Sequence, residues 1–127
     1  MAFIQEKGIG LLGRATVDLQ NGDGKSIAYT VPSGKVADIF AVKISKPTAS
    51  LAGGNDFDIG SGANADTWKQ TNDLSTMTAA TDYMYITSTG VKYTQEVAAA
   101  AFGIKPITGA TADAQATMEV FGIESDA

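Results

Sequence analysis

Val36-Ala37-Asp38-Ile39-Phe40-Ala41-Val42-Lys43-Ile44-Ser45-Lys46 is the stretch on which the fold turns. β-Branched and aromatic side chains recur through it at short spacing, the signature of an extended strand. By the period of two, Phe40, Val42 and Ile44 share one face, and Ala37, Ile39 and Ala41 share the other. Apolar residues on both faces predict a central strand covered on each side. Pro47 ends the run, since proline donates nothing to a ladder. On the other side, Pro32-Ser33-Gly34-Lys35 reads as a turn, with proline pre-setting φ.

The same grammar extends in both directions. Upstream, Arg14–Leu19 and Ser26–Val31 flank Asn21-Gly22-Asp23-Gly24, whose glycines predict a hairpin. Downstream, Asp56-Phe57-Asp58-Ile59-Gly60 alternates cleanly, with Phe57 and Ile59 inward. Ser61–Asp66 is a small-residue loop and Thr67–Gln70 a short strand. Asn72–Thr81 is polar and irregular, anchored by Leu74 and Met77. Asp82–Ser88, Phe102–Ile107 and Ala114–Ile123 complete the strands. Val97-Ala98-Ala99-Ala100-Ala101 favours a short helix by propensity, against a strand context. Roughly eight strands with regular turn signals predict an all-β antiparallel sandwich of jelly-roll type. The division expected is an N-terminal arm, 1–13, and a sandwich domain, 14–127. No fixed-period repeat points to a solenoid or propeller.

Composition narrows the function. Apolar residues make up 44% of the chain and charged residues only 18%, so the surface is mostly neutral and polar, which suits packing against other protein. The chain has no cysteine and no histidine. Thiolate chemistry is excluded, along with the commonest general base and zinc ligand. Nine basic residues stand against 14 acidic ones. The lysines are scattered and Arg14 is the one arginine, so no basic patch predicts nucleic-acid binding. No apolar run has the length of a membrane span. The first residues lack the basic start and apolar block of a cleaved leader, so cytoplasmic synthesis without cleavage is expected.

Few groupings carry chemistry. Asp56 and Asp58 share one strand face, a spacing open to Ca²⁺ or acid–base use, but alternation alone places charges on an outward face. Counting a calcium loop from Asp18 puts Gly22 fifth and Tyr29 twelfth, so the register fails. Gly8-Ile9-Gly10-Leu11-Leu12-Gly13 matches G-x-G-x-x-G without the preceding strand that a dinucleotide site needs. Serine and threonine hydroxyls lack a histidine to activate them, and no G-x-S-x-G elbow is present. An enzyme is therefore not expected, and no cofactor or metal is predicted.

Two sets of residues remain as binding candidates. Phe3, Ile4, Leu11 and Leu12 give the arm an apolar character that must be buried on this domain or on a neighbouring subunit. Trp68, Tyr83 and Tyr85, with Tyr93, read either as core filling or as a stacking platform for a sugar ring. On the second reading the chain is a carbohydrate- or receptor-binding module.

Three segments carry a family resemblance. They are Tyr29-Thr30-Val31-Pro32-Ser33-Gly34-Lys35-Val36-Ala37-Asp38-Ile39, Phe57-Asp58-Ile59-Gly60, and Ala116-Thr117-Met118-Glu119-Val120-Phe121-Gly122-Ile123. From Tyr29 to Ile123 the chain resembles the jelly-roll decoration, or auxiliary head, proteins of tailed phages. The resemblance implies a structural virion protein on the outer capsid surface. It implies the major capsid protein as partner, a homo-oligomer, and no catalytic residues. The arm lies outside the matched region.

Overall fold

The structure, a computed structural model, describes residues 9–127. Among the described residues nine strands form: β1 Gly10–Asp18, β2 Ser26–Thr30, β3 Lys35–Ser45, β4 Asp56–Gly60, β5 Lys69–Asn72, β6 Tyr83–Thr87, β7 Glu96–Val97, β8 Ala101–Thr108 and β9 Gln115–Asp126. They make two antiparallel sheets. One runs β1-β9-β3-β6, with β7 also on β3; the other runs β2-β8-β4-β5. Leaving out the two-residue β7, the chain places four strands in each sheet and crosses between sheets after every strand but β4, the wiring of a jelly roll. The expected antiparallel sandwich is the fold.

Alternation builds the core. Phe57 and Ile59 of β4, with Phe102 and Ile104 of β8, face inward from the four-stranded sheet. They meet Val42 and Ile44 of β3 and Met118 and Val120 of β9, and all eight side chains are fully buried. Each such side chain withdrawn from water contributes about 1.5–3 kcal/mol. Two glycines let backbones close up. A Cβ on Gly122 would collide with the Asp38 carbonyl oxygen, and one on Gly103 with the Ser26 carbonyl oxygen.

Several expectations meet a different outcome. First, β3 is central, between β9 and β6, but it is not covered on both sides. Its register to β9 shifts between Ile39 and Ala41. This bulge at Phe40 switches the phase, so Ala37, Ile39, Val42 and Ile44 all face the core. The apparent second apolar face arose from counting straight through the bulge.

Second, β1 and β2 are not a hairpin. β1 pairs with β9 and β2 pairs with β8. The Asn21–Gly24 turn carries the chain from one sheet to the other.

Third, of the two tendencies at Val97–Ala101 the strand context prevails, and no helix forms there. Ala99 takes φ 71° in a turn between β7 and β8. Ala99 N donates to Val31 O, and Val31 N donates to Ala100 O. One turn of helix would leave nearly every backbone group there without a partner, so tertiary pairing overrides alanine's propensity.

Fourth, the arm does not extend to residue 13. Gly10, Leu11 and Gly13 pair in register with Gly122, Phe121 and Val120. The predicted Thr67–Gln70 strand is likewise displaced, to β5 at Lys69–Asn72.

Candidate functional site

The solvent side of the five-stranded sheet is the most distinctive surface. Antiparallel register lays its side chains out in rows across the strands. Leu11, Phe121, Ala41 and Thr87 form one row; Arg14, Glu119, Lys43 and Tyr85 form the next; Thr16, Thr117, Ser45 and Tyr83 form a third. Large apolar groups are left in water here: Leu11 is 46% exposed, Tyr85 53% and Tyr83 66%. The Tyr85 and Phe121 rings lie 5.9 Å apart, tilted against each other.

The charges on this face have partners within it. Arg14 donates through Nε and Nη2 to Glu119 Oε2, at 3.0 and 2.7 Å. Lys43 Nζ sits 5.1 Å from the centre of the Tyr83 ring, a cation–π contact. A shallow depression lies among Arg14, Lys43, Ser45, Lys46, Thr117 and Glu119. The arrangement is a flat, mixed apolar and internally compensated surface suited to covering by protein.

The predicted binding residues divide across the fold. Phe3 and Ile4 lie outside the described residues. Leu11 projects onto this outer face. Leu12 does not: it is the extra residue in the β1 register shift and packs against the core, with Cδ1 near Gly122. Tyr83 and Tyr85 stand together on β6 and point outward by the period of two. Trp68 is on the other side of the matter entirely. It is 6% exposed, its Nε1 donates to Ile39 O at 3.1 Å, and its ring packs edge-on to Phe102 and against Tyr93. Trp68 therefore offers no face to a sugar, and the three residues of the stacking platform are not brought together.

Sequence reasoning did not single out Phe121, Arg14, Glu119 or Lys43. The signal was available: alternation through residues 115–123 sends Thr117, Glu119 and Phe121 to the face opposite Met118 and Val120.

The remaining polar groups hold structure. Glu96 is 5% exposed and accepts hydrogen bonds from Ser61 Oγ at 2.5 Å and Thr67 Oγ1 at 2.9 Å. Nearby, Lys25 Nζ donates to the carbonyls of Gly62 and Ala101. Burial lowers the Lys25 pKa, and the Glu96 carboxylate partly restores it. On the four-stranded sheet, Asp58 lies opposite Lys105 and accepts from Thr71 N at 3.0 Å. Asp56 keeps one buried carboxylate oxygen without a hydrogen-bond partner. Among the described residues no group of three or more acidic side chains is placed to hold a metal ion, and no helix is long and apolar enough to cross a membrane.

Comparison of the chain with known protein families, curated proteins and solved structures gives no match.

Proposed function

We propose that this chain is a structural virion protein that binds the outer surface of a capsid shell, through the major capsid protein, and strengthens that shell without catalysis or a cofactor. One observation carries the reading: the outer face of the five-stranded sheet exposes Leu11, Tyr85 and Tyr83 beside the half-buried Phe121 ring, with Arg14 paired to Glu119 and Lys43 over the Tyr83 ring. A surface of this kind gains from burial of its apolar area, and Arg14 with Glu119 and Lys43 with the Tyr83 ring are not left as uncompensated charges when it is covered.

Ile9, two residues before Leu11 in the chain, is exposed as well. Copies arrayed on a shell lattice convert a modest contact into firm attachment, since each neighbour raises the effective concentration of the next. On this reading the protein is made in the host cytoplasm and resides on the capsid surface.

The test is co-sedimentation of the purified chain with shells assembled from the major capsid protein of its proposed virus. Wild type pellets with the shells, and a Leu11→Ser/Phe121→Ser variant of unchanged fold stays in solution. Equal pelleting of the two proteins removes this face from the account.

A further inference from the structure

β6 is a sheet edge of a different kind from β1, β2 and β5. The β1 edge carries a register shift between Leu11 and Gly13, β2 one between Ile27 and Tyr29, and β5 one in its pairing with β4. Bulges of this sort twist an edge away and discourage further pairing. The pairing of β6 with β3 runs from Tyr83 to Thr87 without a shift. Its sequence, Tyr83-Met84-Tyr85-Ile86-Thr87, also contains no charge and no proline, two other usual protections of an edge, and Lys69 of the other sheet reaches it at one end, at Thr87 O.

The direction of its free backbone groups follows from the ladder. Ser88 N donates to Phe40 O at 2.9 Å, so Ser88 faces β3. Alternation then turns Ile86 and Met84 toward β3, and turns the N–H and C=O groups of Tyr83, Tyr85 and Thr87 outward. Lys69 Nζ reaches Thr87 O from the other sheet at 3.4 Å, which confirms the outward direction.

We propose that two copies of this chain associate through antiparallel pairing of β6 with β6, about a two-fold axis at Tyr85, to make one continuous sheet. The strand is self-complementary in that register. Tyr85 meets Tyr85 of the second copy, and Tyr83 meets its Thr87, each as a hydrogen-bonded pair. Met84 meets Ile86 on the inner side. No like charges face each other across the axis. The Lys69 ammonium beside Thr87 comes next to Tyr83 and Asp82 of the other copy, a pairing of opposite charges. A closed two-fold interface of this kind ends at the dimer. It does not depend on attachment to a shell.

Sedimentation equilibrium across a concentration series tests this on the full chain. Wild type gives a mass approaching twice the 13.1 kDa of one chain. Tyr85→Pro, which removes an outward N–H but no bond to β3, and Tyr85→Lys, which sets like charges at the axis, both give the monomer mass. Amide exchange on wild type provides a second measurement that needs no variant. The Tyr85 and Thr87 amides are protected at high concentration and lose protection on dilution. A wild-type monomer at every concentration, an oligomer other than a dimer, or a dimer whose Tyr85 amide exchanges freely would each overturn the proposal.

Discussion

The Ser61 hydroxyl donates a 2.5 Å hydrogen bond to the Glu96 carboxylate, tying the loop after β4 to the two-residue strand β7. Thr67 supplies a second hydroxyl to the same carboxylate. Hydrogen bonds to a charged group contribute about 1.5–3 kcal/mol, and a buried donor left without its acceptor is penalised further. Glu96→Ala should therefore lower stability by roughly 2–3 kcal/mol. A denaturant titration reads the shift in midpoint. Amide exchange should quicken first in β7 and the loop beside it.

Trp68 belongs to the core, so its removal should act on folding. Trp68→Ala leaves a large cavity against Phe102 and Tyr93 and should cost about 3–5 kcal/mol. Chemical unfolding monitored by circular dichroism measures the loss. In the native protein the single tryptophan should emit at short wavelength and resist quenching by iodide, and unfolding should abolish both properties.

Gly103 and Gly122 sit where another strand's carbonyl passes against the glycine itself. Neither needs a left-handed φ, so the penalty at each is steric. Gly103→Ala and Gly122→Ala should each destabilise the sandwich by more than 1 kcal/mol, the scale on which inserted core methyls are felt. Gly24→Ala, with open space around its Cβ position, is the control and should change stability little.

Tyr29 supplies a pH dependence. Its hydroxyl donates to Glu124 Oε2 at 2.7 Å, and burial, reinforced by that carboxylate, pushes its pKa well above the ordinary tyrosine value. The folded state thus holds this proton more tightly than the unfolded chain. The stabilisation is complete below pH of about 10, where the unfolded phenol is still protonated, and declines as pH rises beyond it. Comparing wild type with Tyr29→Phe across this range isolates the effect. Wild type should be the more stable below pH of about 10, and the difference should shrink above it. A constant difference through pH 10 would show that the phenol titrates alike in both states.

Much of the fold was legible because alternation is a local signal. Phe57 and Ile59 point inward as their spacing requires, and the closing strand β9 starts where its pattern places it but runs on past Ile123 to Asp126. What escaped was information held between strands. Nothing in the local order of residues 36–46 marks the bulge at Phe40, which exists because β3 must match β9 in register. Asn21–Gly24 announces a turn but not whether the chain returns to the same sheet. Trp68 looks like a binding residue until Ile39 O and Phe102 are seen around it. The candidate face was half visible: Leu11, Tyr83 and Tyr85 were named, while Phe121 and the Arg14–Glu119 pair needed register to bring them alongside.

Attachment through the outer face of the five-stranded sheet is tested most directly by measuring shell binding of Lys43→Glu alongside wild type. Lys43 lies between Glu119 and Tyr85 in the central row, half-buried, so reversing its charge alters the face while leaving the core intact. Bound protein per shell, quantified after co-sedimentation with shells of the major capsid protein at a temperature where both proteins are folded, should fall by roughly tenfold, while the like charges at 43 and 119 lower the thermal midpoint only slightly. Undiminished binding by the folded variant would contradict the account.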